Sequence, residues 1–196
     1  MRRDLKHSLP VLFFVGVMFA SAGFTADIYD VTAVDVFDPF GIITGEFIGE
    51  FIEEGTVICP GHEPVLNPEL PPCPVGSRTH IRNAVIETRV NSDDERVAGW
   101  MTVQLNSNWN ASFEGPLHGT FVILLDAGGA WAGTYQGQRT FDDTLGIWKG
   151  TLHVRGRGFG GLVDGMKMMA DDRIESPFPM PIAYIGQIEG RIIDPI

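Results

Sequence analysis

The residues of this sequence best able to do chemistry are a tyrosine and an arginine within the segment 130–141. Tyr135 and Arg139 are four residues apart, so in an extended strand both point to the same side, which also carries Trp131. An arginine on an apolar, inward face is costly unless it is paired, and such groups are often functional. Alternatively, Arg139 lies at the mouth of a cavity and its guanidinium reaches solvent. The sequence leaves both interpretations open.

The histidines and serines form no recognisable catalytic or metal site. A three-histidine site would need His80, His118 and His153 to point one way, but strand alternation places the last two on a polar, outer face. The sequence lacks the Gly-x-Ser-x-Gly elbow of a serine hydrolase. Its glycine-dense segment 156–161 lacks the Lys-Ser/Thr ending of a phosphate-binding loop. We therefore predict no metal and no cofactor, and we assign no catalytic residue.

The N-terminus has the residue order of a secretory signal peptide. A basic start with Arg2 and Arg3 is followed by the apolar run 9–19, and small residues then allow cleavage after position 22 or 26. The apolar run is too short to cross a bilayer comfortably, since a spanning helix needs about 20 residues. We predict a signal peptide over 1–22 (or 1–26), no stable membrane anchor, and a secreted or periplasmic protein.

The composition is acidic, with 25 Asp and Glu against 14 Lys and Arg and a formal charge of −11. Removal of the leader takes away three basic residues and one acidic residue, which leaves about −13. This balance argues against nucleic acid, whose phosphates need a basic footprint, and against docking on anionic lipid. We predict no nucleic-acid partner, and no pattern in the sequence indicates the oligomeric state.

Two cysteines, Cys59 and Cys73, bracket a proline-rich stretch. An even pair in an exported chain is most simply a disulfide. The bridge would pin a loop that cannot form regular structure by itself, and would stabilise the fold by about 3 kcal/mol. A zinc site is the alternative, because Cys59 and His62 have a C-x-x-H spacing with His80 behind them. The remaining spacing matches no common zinc module, so we predict the disulfide.

The frequent glycines and prolines, 24 and 13 residues, favour many short strands over long helices. Strand-like segments alternate with Gly, Asp and Pro breakers, and adjacent acids such as Asp171-Asp172 are interpreted as turn residues. Eight segments predict an all-β fold, an eight-stranded antiparallel up-and-down barrel with a Pro-rich, disulfide-pinned loop. We place the strands at 40–52, 78–90, 98–106, 116–125, 130–141, 147–157, 163–171 and 183–193.

A single barrel domain is expected over 27–196, with regular strands mainly at 78–193 and an irregular N-terminal arm at 27–39 that contains at most one short extended piece. Alternation gives each strand an inner face. A Trp-x-Gly step recurs at 131–133 and 148–150, and it puts a large and a vacant position on the same face, as a tapering interior requires. We predict a ligand cavity whose wall comprises Phe121, Ile123, Trp131, Tyr135, Arg139, Trp148 and Leu152.

Four segments carry a shared rhythm of glycine and aromatic residues: 115–121 (GPLHGTF), 131–134 (WAGT), 148–151 (WKGT) and 156–161 (GRGFGG). Over roughly 98–193 this texture resembles the allene oxide cyclase and dirigent-protein barrels of the calycin type. The resemblance implies an eight-stranded barrel with an inner cavity, in a family of cyclases, proteins that guide radical coupling, and secreted members. No active-site motif of that family matches a position here, so no catalytic residue is carried over.

Two functions are compatible with these observations. In the first, the exported barrel is a non-catalytic module that binds a small apolar molecule or a partner. In the second, it is a cyclase or isomerase of the allene oxide cyclase-like type, whose hydrophobic cavity folds a reactive substrate and needs only one or two polar groups. The lack of a catalytic signature favours the binding module, whereas the resemblance favours the enzyme.

Overall fold

The computed structural model describes residues 26–52, 54–63, 65–66, 73–74, 76–177 and 183–195. Apart from position 26, the signal peptide predicted from the sequence lies outside the described residues. The described part of the chain consists of β-strands joined by turns and by one short 3-10 helix at Gly161–Val163. No helix in these ranges has the length and apolar composition that a membrane span requires.

The strands follow one another along the chain, and the longest have 13 residues. Their bounds are β1 Asp27–Phe37, β2 Glu50–Ile52, β3 Thr56–Ile58, β4 Val65–Leu66, β5 Thr79–Asn91, β6 Gly99–Trp109, β7 Gly115–Leu125, β8 Ala130–Asp142, β9 Ile147–Phe159, β10 Lys167–Pro177 and β11 Tyr184–Asp194.

Eight of these strands form a closed antiparallel barrel. From β5 to β11 each strand pairs with the next along the chain. β1 pairs with β11 over its whole length, 27–37 against 184–194, and the ring closes where β1 at 34–36 pairs with β5 at 89–91. Closure removes sheet edges that would otherwise remain unpaired. The predicted eight-stranded up-and-down barrel is confirmed.

The short strands continue the barrel wall beyond the end of β1. β5 is longer than its contact with β1, and the rest of that edge pairs with β2 at 85–87 and with β3 at 80–82. A bulge bends β5 between Ile81 and Ala84, where Asn83 has a φ of 53°. The segment that joins β2 to β3 is thereby held beside the barrel interior.

The first barrel strand differs from the prediction. Residues 27–39, predicted as an irregular arm, contain β1, whereas most of the predicted strand 40–52 is a turn-rich segment that ends in β2. The carboxylate of Asp38 shapes this segment by accepting hydrogen bonds from three backbone N–H groups, those of Ile42, Ile43 and Thr44. The sequence pattern hides β1 because its acidic residues interrupt the apolar alternation that identifies a strand.

The strand predicted at 163–171 begins and ends later, as β10. Glycines at 160 and 161 have positive φ, and the chain enters the 3-10 turn there before β10 starts. Asp171-Asp172, predicted as turn residues, lie within β10, where alternate residues from Met168 to Ser176 are buried. The turn prediction is wrong because pairing with β9 and β11 on both sides overrides the local preference of aspartate for turns.

Inward and outward faces follow the alternation predicted for β8. Trp131, Tyr135 and Arg139 are buried, while Gln136 and Gln138 are exposed. The strand register therefore points the large side chains into the barrel.

The glycines of the Trp-x-Gly steps leave room for side chains from other strands. A Cβ on Gly133 would lie 2.8 Å from the ring of Phe121, and one on Gly150 would lie 2.9 Å from the side chain of Ile174. Phe121 is only 3% exposed, so the vacant position is filled by an aromatic ring. Residue volume thus alternates across the inner face as a closed barrel requires.

The barrel interior contains two apolar clusters, one toward each end of the strands. The first includes Trp131, Val163 and Ile192, each with no exposed surface. The second includes Trp109 and Leu117 together with the two cysteines. The space between these clusters is where the candidate site lies.

The predicted disulfide between Cys59 and Cys73 is present, with the two Cα atoms 5.4 Å apart. Both cysteines are buried beside Val57 in the second cluster. Their bond to each other leaves no thiolate for the alternative zinc site. The bridge therefore ties the proline-rich loop to one end of the barrel.

Candidate functional site in the barrel cavity

A cavity of about 100 Å³ lies inside the barrel. Apolar side chains from several strands build most of its wall, among them Ile86, Met101, Val103 and Leu105. Residues 54–57, from the connection before β3 and from the start of β3, close one side. A chamber of this size is large enough to hold several waters or a small molecule.

Four of the seven residues predicted for the cavity wall line the cavity: Phe121, Tyr135, Arg139 and Leu152. The other three, Ile123, Trp131 and Trp148, are buried on the same inner faces but lie beyond the cavity. Strand alternation gives the side on which a residue lies but not its height along the barrel axis.

The two tryptophans of this set close the barrel toward its ends. The indole Nε1 of Trp131 donates a hydrogen bond of 2.7 Å to the carbonyl of Arg96, and that of Trp148 donates one of 2.8 Å to the carbonyl of Ser112. Both acceptors lie in the connections that flank β6, outside its hydrogen-bonded ladder. Buried tryptophans usually place their N–H on an acceptor in this way, whereas the Nε1 of the buried Trp109 has none among the described residues.

Arg139 is the cationic group of the cavity. Its guanidinium lies between two indole rings, 4.9 Å from the centroid of Trp109 and 5.2 Å from that of Trp148. The side chain is 3% exposed, and its Nε and Nη2 atoms have no hydrogen-bond partner among the described residues. Burial lowers the pKa of Arg139 to about 9, so the guanidinium still carries its charge at neutral pH.

Asp35, on β1, supplies a buried carboxyl group to the cavity wall. It is 1% exposed, and its two oxygens accept hydrogen bonds from the hydroxyl groups of Thr88 and Tyr184, the latter at 3.0 Å. Burial raises the pKa of Asp35 to about 6, although both hydrogen bonds act to lower it. Asp35 can therefore gain or lose a proton close to neutral pH.

Asp172 provides a second buried carboxyl group. It is 4% exposed, and within the described part of the chain its Oδ1 has no hydrogen-bond partner. Burial, and then the negative charge of Asp35, raise the pKa of Asp172 well above its ordinary value. Two carboxyl groups that interact in a low-dielectric interior resist being ionised together.

Gly186 makes the approach of the two acids possible. Asp35 pairs with Gly186 across β1 and β11, and a Cβ on Gly186 would collide with the carboxyl group of Asp172. Any larger residue there would displace that carboxyl group. The glycine therefore creates the space in which the acid pair forms.

Two tyrosines complete the polar part of the cavity wall. The hydroxyl of Tyr135 donates a hydrogen bond of 3.3 Å to the carbonyl of Gln104, while that of Tyr184 serves Asp35. Burial, followed by the charge of Asp35, raises the pKa of both tyrosines, so each remains a neutral hydroxyl donor. The cavity thus presents a cation in one region and a cluster of acids and hydroxyls in another.

The acid pair could not be found from sequence reasoning alone. Asp35 falls in the segment predicted to be irregular, and Asp172 falls in the predicted turn. The available signal was the apolar alternation Met168, Ala170, Ile174 in β10, which puts position 172 on the inner face. An acid at an inward position of a strand indicates a functional site only once the strand has been recognised.

The strand-borne histidines lie away from the cavity. His153 is 62% exposed and its Nδ1 lies 2.6 Å from Asp171, while the Nδ1 of His80 lies 2.8 Å from the side-chain oxygen of Asn108. His118 is exposed on β7. Across the described ranges, no three His, Cys, Asp or Glu side chains come together as metal ligands would.

Comparison with known proteins gives no independent assignment of this site. No protein-family model matches the chain, and no curated protein or solved structure matches it at a significant level.

Proposed function

We propose that this protein is exported and that its barrel binds a small, largely apolar molecule. The observation that carries this proposal is the interior cavity, whose apolar wall contains a few polar groups at fixed positions. Small-molecule sites are usually concave, mostly apolar, and oriented by a small number of such groups. The barrel would be a binding module, without a cofactor and without nucleic acid as a partner.

The disulfide supports the export half of the proposal. Disulfides persist in oxidising compartments and are rare in reducing ones. The basic and apolar leader of the sequence is compatible with the same route. We accordingly propose a signal peptide over 1–22 (or 1–26) and a secreted or periplasmic location.

Membership of the allene oxide cyclase and dirigent-like barrels is a further part of the proposal. It rests on the glycine and aromatic rhythm of 98–193 and is compatible with the closed eight-stranded barrel. The barrel alone does not decide function, because one fold can host many activities.

A cyclase or isomerase remains the second candidate, and the acid pair favours it. Asp35 and Asp172 face an apolar chamber, and the pKa of Asp35 is raised to about 6. A carboxyl group that titrates near neutral pH is suited to general acid–base catalysis. Under this alternative the acids would move a proton on a substrate that the cavity holds folded.

Binding of a neutral fluorescent probe, N-phenyl-1-naphthylamine, tests the proposed cavity. We expect Val103→Phe to weaken binding at least tenfold, because Val103 lines the cavity. The same change at Val122, which is 40% exposed on the outer face of the neighbouring strand, should leave binding unchanged. If the native protein does not bind the probe, or if both variants bind it as the native protein does, the cavity is not a ligand site.

Chromatography and NMR of the molecules that the native protein releases after incubation with a candidate ligand separate the two candidate functions, because isomers have the same mass. A binding module should release the same molecule that is supplied to it. An enzyme should release an isomer of the molecule supplied, and replacement of Asp35 by Asn should slow that conversion more than it weakens binding.

A further inference from the structure

The described residues give the buried cation of the cavity no anionic partner. Arg139 makes none of the ion pairs seen in the structure, which join other side chains. Asp35 and Asp172 also line the cavity, but the charge that acts on Asp172 is that of Asp35. The pKa of Arg139 is changed by burial alone, without a contribution from either acid. A buried charge without a counter-charge is strongly unfavourable, so its retention indicates a role other than stability.

The guanidinium of Arg139 lines the cavity and has unused hydrogen-bonding capacity. Arginine binds carboxylates through parallel N–H bonds on one edge of its guanidinium. Nε and Nη2 have no protein acceptor among the described residues, but both are packed against protein, so a carboxylate would meet the guanidinium from the cavity side. The rings of Trp109 and Trp148 lie beside the guanidinium.

The part of the cavity wall next to Arg139 is apolar. Gly137 follows Arg139 inward along the same face of β8 and has no side chain, while Leu117 and Leu152 pair with it from the two neighbouring strands. Phe121 lies further along, opposite Gly133. A ligand with a charged group at Arg139 would therefore place its body against leucine and phenylalanine side chains.

We propose that the natural ligand of the cavity is a small organic anion, with its carboxylate on the guanidinium of Arg139 and its apolar body along Leu117, Leu152 and Phe121. This inference rests on the proposed ligand-binding function and specifies the ligand class. A free inorganic anion would supply the same charge but would make no use of the apolar cavity wall, so the observations favour the organic anion.

Calorimetric titration with matched probes tests this assignment without any variant. Octanoate and 1-octanol share a chain and differ in charge, and sodium phosphate supplies the charge without the chain. We expect octanoate to bind at least tenfold more tightly than octanol, and phosphate to bind much more weakly than either. Equal affinity for octanoate and octanol would overturn the carboxylate site while the ligand-binding function stands.

Two further outcomes of the same titrations are decisive. If phosphate binds as tightly as octanoate, the site takes a free anion and the organic ligand is excluded. If none of the probes binds, and N-phenyl-1-naphthylamine does not bind either, the proposed ligand-binding function fails together with this inference.

Variants then assign the effect to Arg139. Arg139→Met should weaken octanoate binding 10- to 100-fold, the loss typical of a charged hydrogen-bonded pair, and change octanol binding less than threefold. Arg139→Lys keeps the charge without the parallel N–H bonds and should give an intermediate loss. Arg155→Met makes the same change on the exposed outer face of β9 and should alter neither affinity.

Thermal unfolding shows whether a loss of binding in Arg139→Met comes from a loss of the fold. Because Arg139→Met removes an unpaired buried charge, its melting temperature should equal or exceed that of the native protein. A large fall in melting temperature together with equal losses of octanoate and octanol binding would show that Arg139 serves the fold, and would overturn the assignment.

Discussion

Replacement of Asp35 by Asn should make the protein more stable above pH 6 relative to its stability at pH 4. In the native barrel Asp35 is buried, its pKa is raised to about 6, and Asp172, Tyr135 and Tyr184 are the titratable groups that interact with it. In the unfolded chain the carboxyl group has its ordinary pKa of 3.8. Below that value the carboxyl group is protonated in both states, so its ionisation contributes nothing to the free energy of unfolding.

The sign and size of the effect follow from these two values. Between pH 3.8 and about 6 the native state binds the proton more tightly than the unfolded state, so stability falls as the pH rises. Above about 6 the loss is complete and amounts to roughly 3 kcal/mol. Asn cannot ionise and removes this loss, although it also gives up one acceptor for Thr88 or Tyr184, at a cost of about 1–3 kcal/mol that does not vary with pH.

Urea unfolding followed by tryptophan fluorescence between pH 4 and pH 8 measures the effect. The difference in unfolding free energy between Asp35→Asn and the native protein should shift in favour of the variant by roughly 2.5 kcal/mol across this range, because a small part of the change already lies below pH 4. Asp30→Asn, on the same strand but with a side chain 89% exposed, should shift by less than about 0.5 kcal/mol. A shift for Asp35→Asn as small as that of the control would refute the raised pKa and the acid pair built on it.

Two other predictions test the proposed export of the protein. Thiol labelling without reductant should find no free sulfhydryl. The double variant Cys59→Ser, Cys73→Ser should lower the free energy of unfolding by about 3 kcal/mol, because the unfolded chain is no longer restricted by the closed loop. An unchanged unfolding midpoint in urea would contradict this. The intact mass of the exported protein should correspond to a chain that begins at Gly23 or Asp27, and a mass that retains Met1 would show the signal peptide to be wrong.

The fold was predictable from the sequence where strands alternate cleanly. In β7, β8 and β9 most positions of the inner face hold an apolar side chain or a glycine, and glycine or aspartate marks the strand ends, so both the strands and their inner faces follow from pattern. β1 escapes this reasoning because its inward positions include Asp35, and its role as the closing strand depends on pairing with β11 at the far end of the chain. Such long-range pairing leaves no local signal.

The site was predictable only in part, for a related reason. Alternation places Arg139, Tyr135 and Phe121 in the interior. Whether an interior residue lines the cavity or closes an end of the barrel depends on its height along the barrel axis, and that height is set by the stagger of all eight strands. Asp172 resembles a turn residue by type and by its neighbour Asp171. Its burial arises from strands on both sides and from the missing side chain of Gly186.

The pairing of β1 with β11 also constrains when the protein can fold. The first barrel strand finds its partner only when residues 184–194 are available, so the ring cannot close on a partly synthesised chain. Its contact with β5 spans only 34–36 and 89–91, too short to hold β1 in place by itself. Contacts between such distant parts of a chain form slowly. A barrel built in this way stays open until β11 has been synthesised.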